Sequence, residues 1–206
     1  MTKIILMRHS QPMNSNIGIN DSNDSDQVRN EKNILTPEGE KRAEELAKKD
    51  IFKDIDVLYS SNYVRTMSTA KYIAFNNNID LNMNEKLGER RFGVAINDLP
   101  KDFFTRQWKE LDYKEGNGES INDTKERITS VINEIINKNK DKNICIVSHA
   151  TAISAYFLNF LELRINDGLT WYLNNELVFD GKWDAPHAFE LEIENGKLIS
   201  FKNIGR

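Results

Sequence analysis

Four short apolar runs, set far apart and divided by helix-like stretches, constrain this chain more than any other feature. They are Ile4 to Met7, "DVLYSS" at residues 56–61, "IDLNM" from Ile79, and "NICIVSH" at residues 143–149. Continuous apolar runs of this length suit strands covered on both faces; the third run, which alternates, is the weakest. The stretches between them carry helix signals. In "LTPEGEKRAEELAKK", Thr36 is placed as N-cap, Pro37 as the first helical residue and Glu38 in the first turn. Glu44–Lys48 and Glu45–Lys49 have the favourable i,i+4 order. Ser120 and Asp123 are spaced as a capping box, ahead of a stripe of Ile121, Ile128, Val131, Ile132, Ile135 and Ile136. Further helices are expected from about Tyr63 to Phe75, after His149 through "AISAYFLNFL", and in "PKDFFTRQWKEL". Strands alternating with helices predict an α/β fold with a largely parallel sheet.

A length of 206 residues suits one compact domain over residues 1–206, with 90–118 placed as a lid insertion. The tail "HAFELEIENGKLISF" reads as a hairpin around Asn195-Gly196. Residues 14–33 are polar, lack regular signals and read as a solvated loop whose first residues adjoin Arg8-His9. The single cysteine, Cys145, forms no internal disulfide and sits in an apolar run, which suits a core residue and a reducing, cytoplasmic setting. Neither a signal peptide nor a membrane span is expected. A net charge of −4 without a basic block argues against nucleic acid as partner, so an anionic ligand would need cations gathered locally. Nothing in the sequence sets an oligomeric state.

In open α/β sheets ligands bind outside the carboxyl ends of the strands. Arg8 and His9 follow the first run, Ser60, Ser61 and then Arg65 the second, and His149 the fourth. If these strands are parallel neighbours, two arginines and two histidines converge on one crevice. Guanidinium forks suit phosphate oxygens, and an imidazole can serve as nucleophile or donor. Phosphoryl transfer needs positioning and charge neutralisation. No metal-ligand cluster or cofactor motif is evident, so neither metal nor cofactor is expected. Glu89, beyond the third run, is the candidate general acid, and Gln11 a candidate pocket residue. Ser10 and Ser148 adjoin the histidines, but neighbours on a strand project to opposite faces and no G-x-S-x-G elbow is present. His187 reads as structural or exposed, and Phe103, Phe104 and Trp108 as helix core or lid packing.

In order along the chain, "RHSQP", "LTPEGEKRA", "SSNYVRTMSTA", "LGERRFGVAIN", "GES" and "SHA" resemble the motifs of the histidine phosphatase superfamily, the phosphoglycerate mutase-like proteins. That resemblance spans about residues 4–155. It implies a three-layer α/β/α sandwich with His9 as the nucleophile that becomes phosphohistidine. It also implies that Arg8, Arg65 and His149 bind the phosphoryl group, and that Glu89 is the acid toward the leaving group and then the base toward water. Ser10, Pro12 and Ala150 replace the family's Gly, Thr and Gly, and its Trp-Glu-Gly after Phe-Gly is absent. The family's asparagine six residues past the nucleophile falls at Ser15, with Asn14 just before it, so both are candidate substrate contacts. The implied activity is a metal-independent phosphomonoesterase acting on a small phosphorylated metabolite. A cofactor-dependent mutase and a non-catalytic phosphate-binding relative are the alternatives. Mutases carry a longer insertion than the 60 residues (149 − 89) from Glu89 to His149, which favours the phosphatase.

Overall fold

The computed structural model describes residues 2–13, 24–194 and 196–205. Its first strands are β1 (Thr2–Arg8), β2 (Val57–Ser60), β3 (Leu81–Met83) and β4 (Asn143–Ser148). They lie side by side in the order β3-β2-β4-β1, all parallel. A three-stranded antiparallel sheet, β5 (Glu162–Ile165), β6 (Leu169–Leu173) and β7 (Glu176–Phe179), stands apart. The chain then returns as a hairpin, β8 (His187–Glu194) and β9 (Lys197–Gly205), whose first strand runs antiparallel to β1 and extends the main sheet to six strands.

Why the runs do not alternate is plain from the packing. Successive residues of β1 enter different cores. Ile4 and Leu6 pack with Ile128, Val131 and Ile132 of α5 (Ile121–Lys138) and Ile153 and Phe157 of α6 (Ala150–Phe157). Ile5 and Met7 pack on the opposite face, with Leu46 and Ala47 of α2 (Pro37–Ala47) and Ala70 and Ile73 of α3 (Val64–Asn77). In β4, Ile144 and Ile146 face the first core and Cys145 and Val147 the second. Helices therefore cover both faces of a mostly parallel sheet, and apolar residues are needed at every position. This is the expected three-layer α/β/α sandwich.

The helix ends follow the sequence signals. Thr36 Oγ1 accepts from the Gly39 amide at 2.9 Å, and Pro37 opens α2. Ser120 and Asp123 form the capping box of α5, each side chain accepting the other's amide N–H at 3.0 Å. Gly39 permits close packing: a Cβ there would lie 2.2 Å from the Gln11 carbonyl oxygen, so only glycine lets α2 press against the loop after His9.

Six elements differ from expectation. Residues 26–32, inside the stretch read as a loop, form α1 (Asp26–Lys32), with the Ser25 hydroxyl capping Val28 N at 3.3 Å. The third strand is confined to 81–83 rather than starting at Ile79. α6 stops at Phe157, not Leu161, where the amides of Leu158, Asn159 and Phe160 reach back only three residues, to the Ala155, Tyr156 and Phe157 carbonyls, and tighten the last turn. Strands β5 to β7 were not expected at all. Their signal is Asn174-Asn175 between apolar alternations; both residues take positive φ (51° and 67°), the conformation a two-residue hairpin turn demands. The helix in the 90–118 segment is α4 (Phe103–Lys109). The hairpin at the tail is present, although Asn195 itself lies outside the described residues. Among the described residues, no helix is long and apolar enough to cross a membrane.

Candidate active site at the carboxyl edge of the sheet

The parallel register sets Arg8 beside Ser148, so His9 and His149 leave adjacent strands at the same level. Their ring centroids are 5.2 Å apart, and both side chains are buried. Arg65, the second residue of α3, joins them: its Nε donates to His9 Nε2 at 3.1 Å and its Nη2 reaches His149 Nδ1 at 3.2 Å. These contacts settle the tautomers. His9 Nδ1 lies 2.7 Å from the Ser10 carbonyl oxygen, which can only accept, so Nδ1 carries the proton and Nε2 keeps its lone pair. For His149, Arg65 can only donate, so Nδ1 is bare and Nε2–H donates to Ser61 Oγ at 2.9 Å. Ser61 passes its proton toward Thr66 Oγ1 at 2.7 Å, and Thr66 donates to the Tyr63 carbonyl at 2.7 Å. Tyr63 adds its ring, 4.5 Å from that of His149 and 4.7 Å from the Arg65 guanidinium carbon.

Burial, reinforced by Arg65, holds both His9 and His149 well below the usual histidine pKa, so both are neutral. Burial also draws Arg8 and Arg65 down, and the charge of Glu89 opposes that in each. Glu89 binds three amides: Arg90 N at 2.9 Å, Ala152 N at 3.1 Å and Thr151 N at 3.3 Å. It therefore spans from its own loop to the first turn of α6. That loop is clamped from below. Arg127 Nη1 donates to the carbonyls of Lys86 and Gly88, and its Nε and Nη2 grip the buried Glu119 carboxylate at 2.6 and 2.8 Å. Glu119 in turn accepts from Arg91 N at 3.0 Å.

The structure thus brings Arg8, His9, Arg65, His149 and Glu89 to one edge of the sheet. Gln11 follows them, its carbonyl accepting the Thr36 amide. Asn14 and Ser15 lie outside the described residues. Ser10 is fully buried, with its hydroxyl donating to the Gly39 carbonyl at 2.6 Å and its amide to Thr69 Oγ1 at 2.9 Å. Among the described residues, no group of three or more His, Cys, Asp or Glu stands together as metal ligands. Sequence reasoning missed Arg90. It is 4% exposed, its guanidinium lies 5.2 to 5.5 Å from the rings of Phe92, Phe103 and Phe104, and its Nε has no hydrogen-bond partner among the described residues. The guanidinium groups of Arg8, Arg65 and Arg90 all feel the charge of Glu89, and each feels a second carboxylate as well: Asp184, Glu31 and Glu119 respectively.

A mostly parallel α/β sheet with buried, neutral histidines and arginines at its carboxyl edge defines an anion-handling α/β protein. The chain belongs to the histidine phosphatase superfamily (branch 1), whose sequence model matches residues 4–184. It is 26% identical over 181 residues to phosphoserine phosphatase 1 of Hydrogenobacter thermophilus, covering 81% of this chain and 79% of that protein. Among solved structures, it superposes on a mutant phosphoserine phosphatase of Entamoeba histolytica in complex with phosphoserine. The TM-score is 0.64 at 21% identity, with 98% of this chain and 97% of that one covered. A mycobacterial glucosyl-3-phosphoglycerate phosphatase superposes with TM-score 0.71 at 16% identity, covering 99% and 97%.

Proposed function

We propose that this chain is a metal-independent phosphomonoesterase of a reducing, cytoplasmic setting that works through phosphohistidine at His9. Its substrate is a small phosphorylated acid of the phosphoserine or phosphoglycerate type. The observation that carries this reading is the His9 tautomer. The Ser10 carbonyl fixes the proton on Nδ1, and burial keeps the ring neutral, so Nε2 presents a lone pair beside a guanidinium. In the first step Arg65 Nε–H turns from His9 Nε2 to a phosphoryl oxygen, Nε2 attacks phosphorus, the P–O ester bond breaks, and Glu89, entering the step in its carboxylic acid form, gives its proton to the departing alkoxide. In the second, Glu89 takes a proton from water, whose oxygen attacks phosphorus and releases His9 and inorganic phosphate. Arg8 and Arg65 spread the charge on the equatorial oxygens, and His149 stands opposite as a further donor once the phosphoryl dianion supplies its proton affinity.

Arg90 extends this reading to the substrate. Its unpaired Nε suits a second anionic group, such as the carboxylate shared by phosphoserine and phosphoglycerate. Residues 90–118, which carry Arg90 and its aromatic cage, then act as the substrate cap. The test is hydrolysis of p-nitrophenyl phosphate and of phosphoserine with chelator present. We expect turnover by the wild type and none by His9→Ala. Activity surviving that substitution, or requiring a divalent metal, would refute the mechanism. Isomerisation of 3-phosphoglycerate primed by a bisphosphoglycerate, without phosphate release, would assign the chain to the mutases. Phosphate binding without turnover would make it a non-catalytic relative.

A further inference from the structure

The third histidine lies outside the chemistry just described, yet it stands directly across the sheet from Arg8. In the antiparallel ladder of β1 and β8, Arg8 and His187 are register partners. Glu89 and Asp184 act on the Arg8 guanidinium through their charges, but its hydrogen bonds go to the backbone: Nη1 donates to two carbonyls, Trp183 at 3.2 Å and Asp184 at 3.0 Å, and its buried Nε has no hydrogen-bond partner among the described residues. Those carbonyls belong to the turn ahead of β8, more than 170 residues along the chain.

His187 does fix them. Its Nδ1 accepts the Asp184 amide at 3.1 Å, so Nδ1 is bare and Nε2 carries the proton. Nε2 donates to Asn203 Oδ1 at 2.8 Å, and that oxygen is identified independently because it also accepts the Gly205 amide at 3.1 Å. The ring is 3% exposed, stacks on Phe189 at 4.7 Å and meets Phe179 and Trp183 edge-on. A single line of contacts therefore runs from β9 through His187 and the Asp184 peptide to the Arg8 guanidinium.

We infer that His187 is a positioning residue for Arg8: through its bare Nδ1 it holds the 183–184 peptide, whose Trp183 carbonyl, together with the Asp184 carbonyl that follows it, aims the guanidinium at the phosphoryl site. This rests on the reading of Arg8 as a phosphate-binding residue. Arg8 from β1 and Asp184 and Asp180 from the preceding turn are the charged groups that act on His187, while β9 presents the uncharged Asn203. Burial keeps the imidazole neutral, with its pKa lowered. A proton on Nδ1 would set one donor against another, release the Asp184 amide and loosen Arg8.

Two variants of the full chain separate this role from simple packing. His187→Phe keeps the aromatic stack and removes the acceptor. His187→Asn places an amide oxygen near the position of Nδ1 and does not titrate. With both confirmed as folded by circular dichroism, we expect His187→Phe to weaken binding of inorganic phosphate, followed by calorimetry, by about tenfold. It should lower kcat/KM for p-nitrophenyl phosphate similarly. His187→Asn should stay within about threefold of wild type. As pH falls through the range in which the buried imidazole takes up its proton, below its ordinary value, wild-type phosphate affinity should fall relative to that of His187→Asn. Wild-type affinity in His187→Phe, or equal weakening in both variants, would overturn the inference. If His187→Phe does not fold, the pH comparison decides, and superimposable curves would overturn it. Absence of turnover by the wild type, with phosphate binding still sensitive to residue 187, would instead count against the phosphatase reading alone.

Discussion

Ser10 adjoins His9, the proposed nucleophile, at the position where the motif it resembles has glycine, and its surroundings show how a serine fits there. Its hydroxyl points away from the histidines and donates to the Gly39 carbonyl, tying the loop after β1 to α2. We expect Ser10→Gly to keep activity on p-nitrophenyl phosphate, while urea denaturation shows a loss of about 1–2 kcal/mol from the missing hydrogen bond and the freer backbone. A collapse of activity would mean that the hydroxyl takes part in the chemistry. Arg90 makes the opposite kind of residue-scale prediction. Arg90→Leu should raise KM for phosphoserine roughly tenfold while leaving p-nitrophenyl phosphate, which has no carboxylate, nearly unaffected. Equal losses on both substrates would place Arg90 at the phosphoryl group itself.

At the scale of elements, the site is an agreement among strand ends, one helix start and one clamped loop. α6 begins directly after His149, and its first amides at Thr151 and Ala152 hold Glu89. The Glu89 loop has no regular structure of its own, so its shape comes from Glu119, just ahead of the α5 N-cap, and Arg127, about two turns into that helix. Glu119 is 5% exposed and receives Arg127 in bidentate fashion. Removing its charge leaves a partly buried guanidinium unpaired. Glu119→Gln should therefore cost about 3 kcal/mol in chemical denaturation and lower kcat through displacement of Glu89. Unchanged stability and kcat would show that the clamp is dispensable.

For the whole molecule, all three histidines share one sign. His9, His149 and His187 each have a pKa lowered in the folded state, burial being the largest cause. Below about pH 6.5, where unfolded histidines begin to protonate, the unfolded chain binds more protons than the folded one. Stability should then fall as pH drops from about 6.5 through the lowered folded-state values, and level off above that window. Thermal melts at several pH values check this. Saturating phosphate should lessen the acid loss, since a bound anion favours protonated His9 and His149 and binds only the folded state.

The layered architecture was readable because its causes are local. Unbroken apolar runs require two covered faces, and Thr36, Pro37, Ser120 and Asp123 mark helix starts through contacts within three residues. Where the local signal was short or mixed, reading failed. α1 spans two turns with no buried residue, and β5 to β7 alternate only partly around Asn174-Asn175. His9, His149, Arg8, Arg65 and Glu89 were legible by type and position, because strand ends in a parallel sheet face one crevice. The tautomers of the two histidines, the burial of Arg90 and the grip of Trp183 and Asp184 on Arg8 were not. The Arg8–Trp183 contact joins residues 175 apart, and no periodicity or capping rule acts over that distance. By itself, then, the sequence determined which elements form and which side chains stand at their ends, since propensity, patterning and capping act within a few residues. Only the tertiary structure decided which proton each imidazole holds and which carbonyls aim each guanidinium, because those depend on partners that packing alone brings within hydrogen-bond reach.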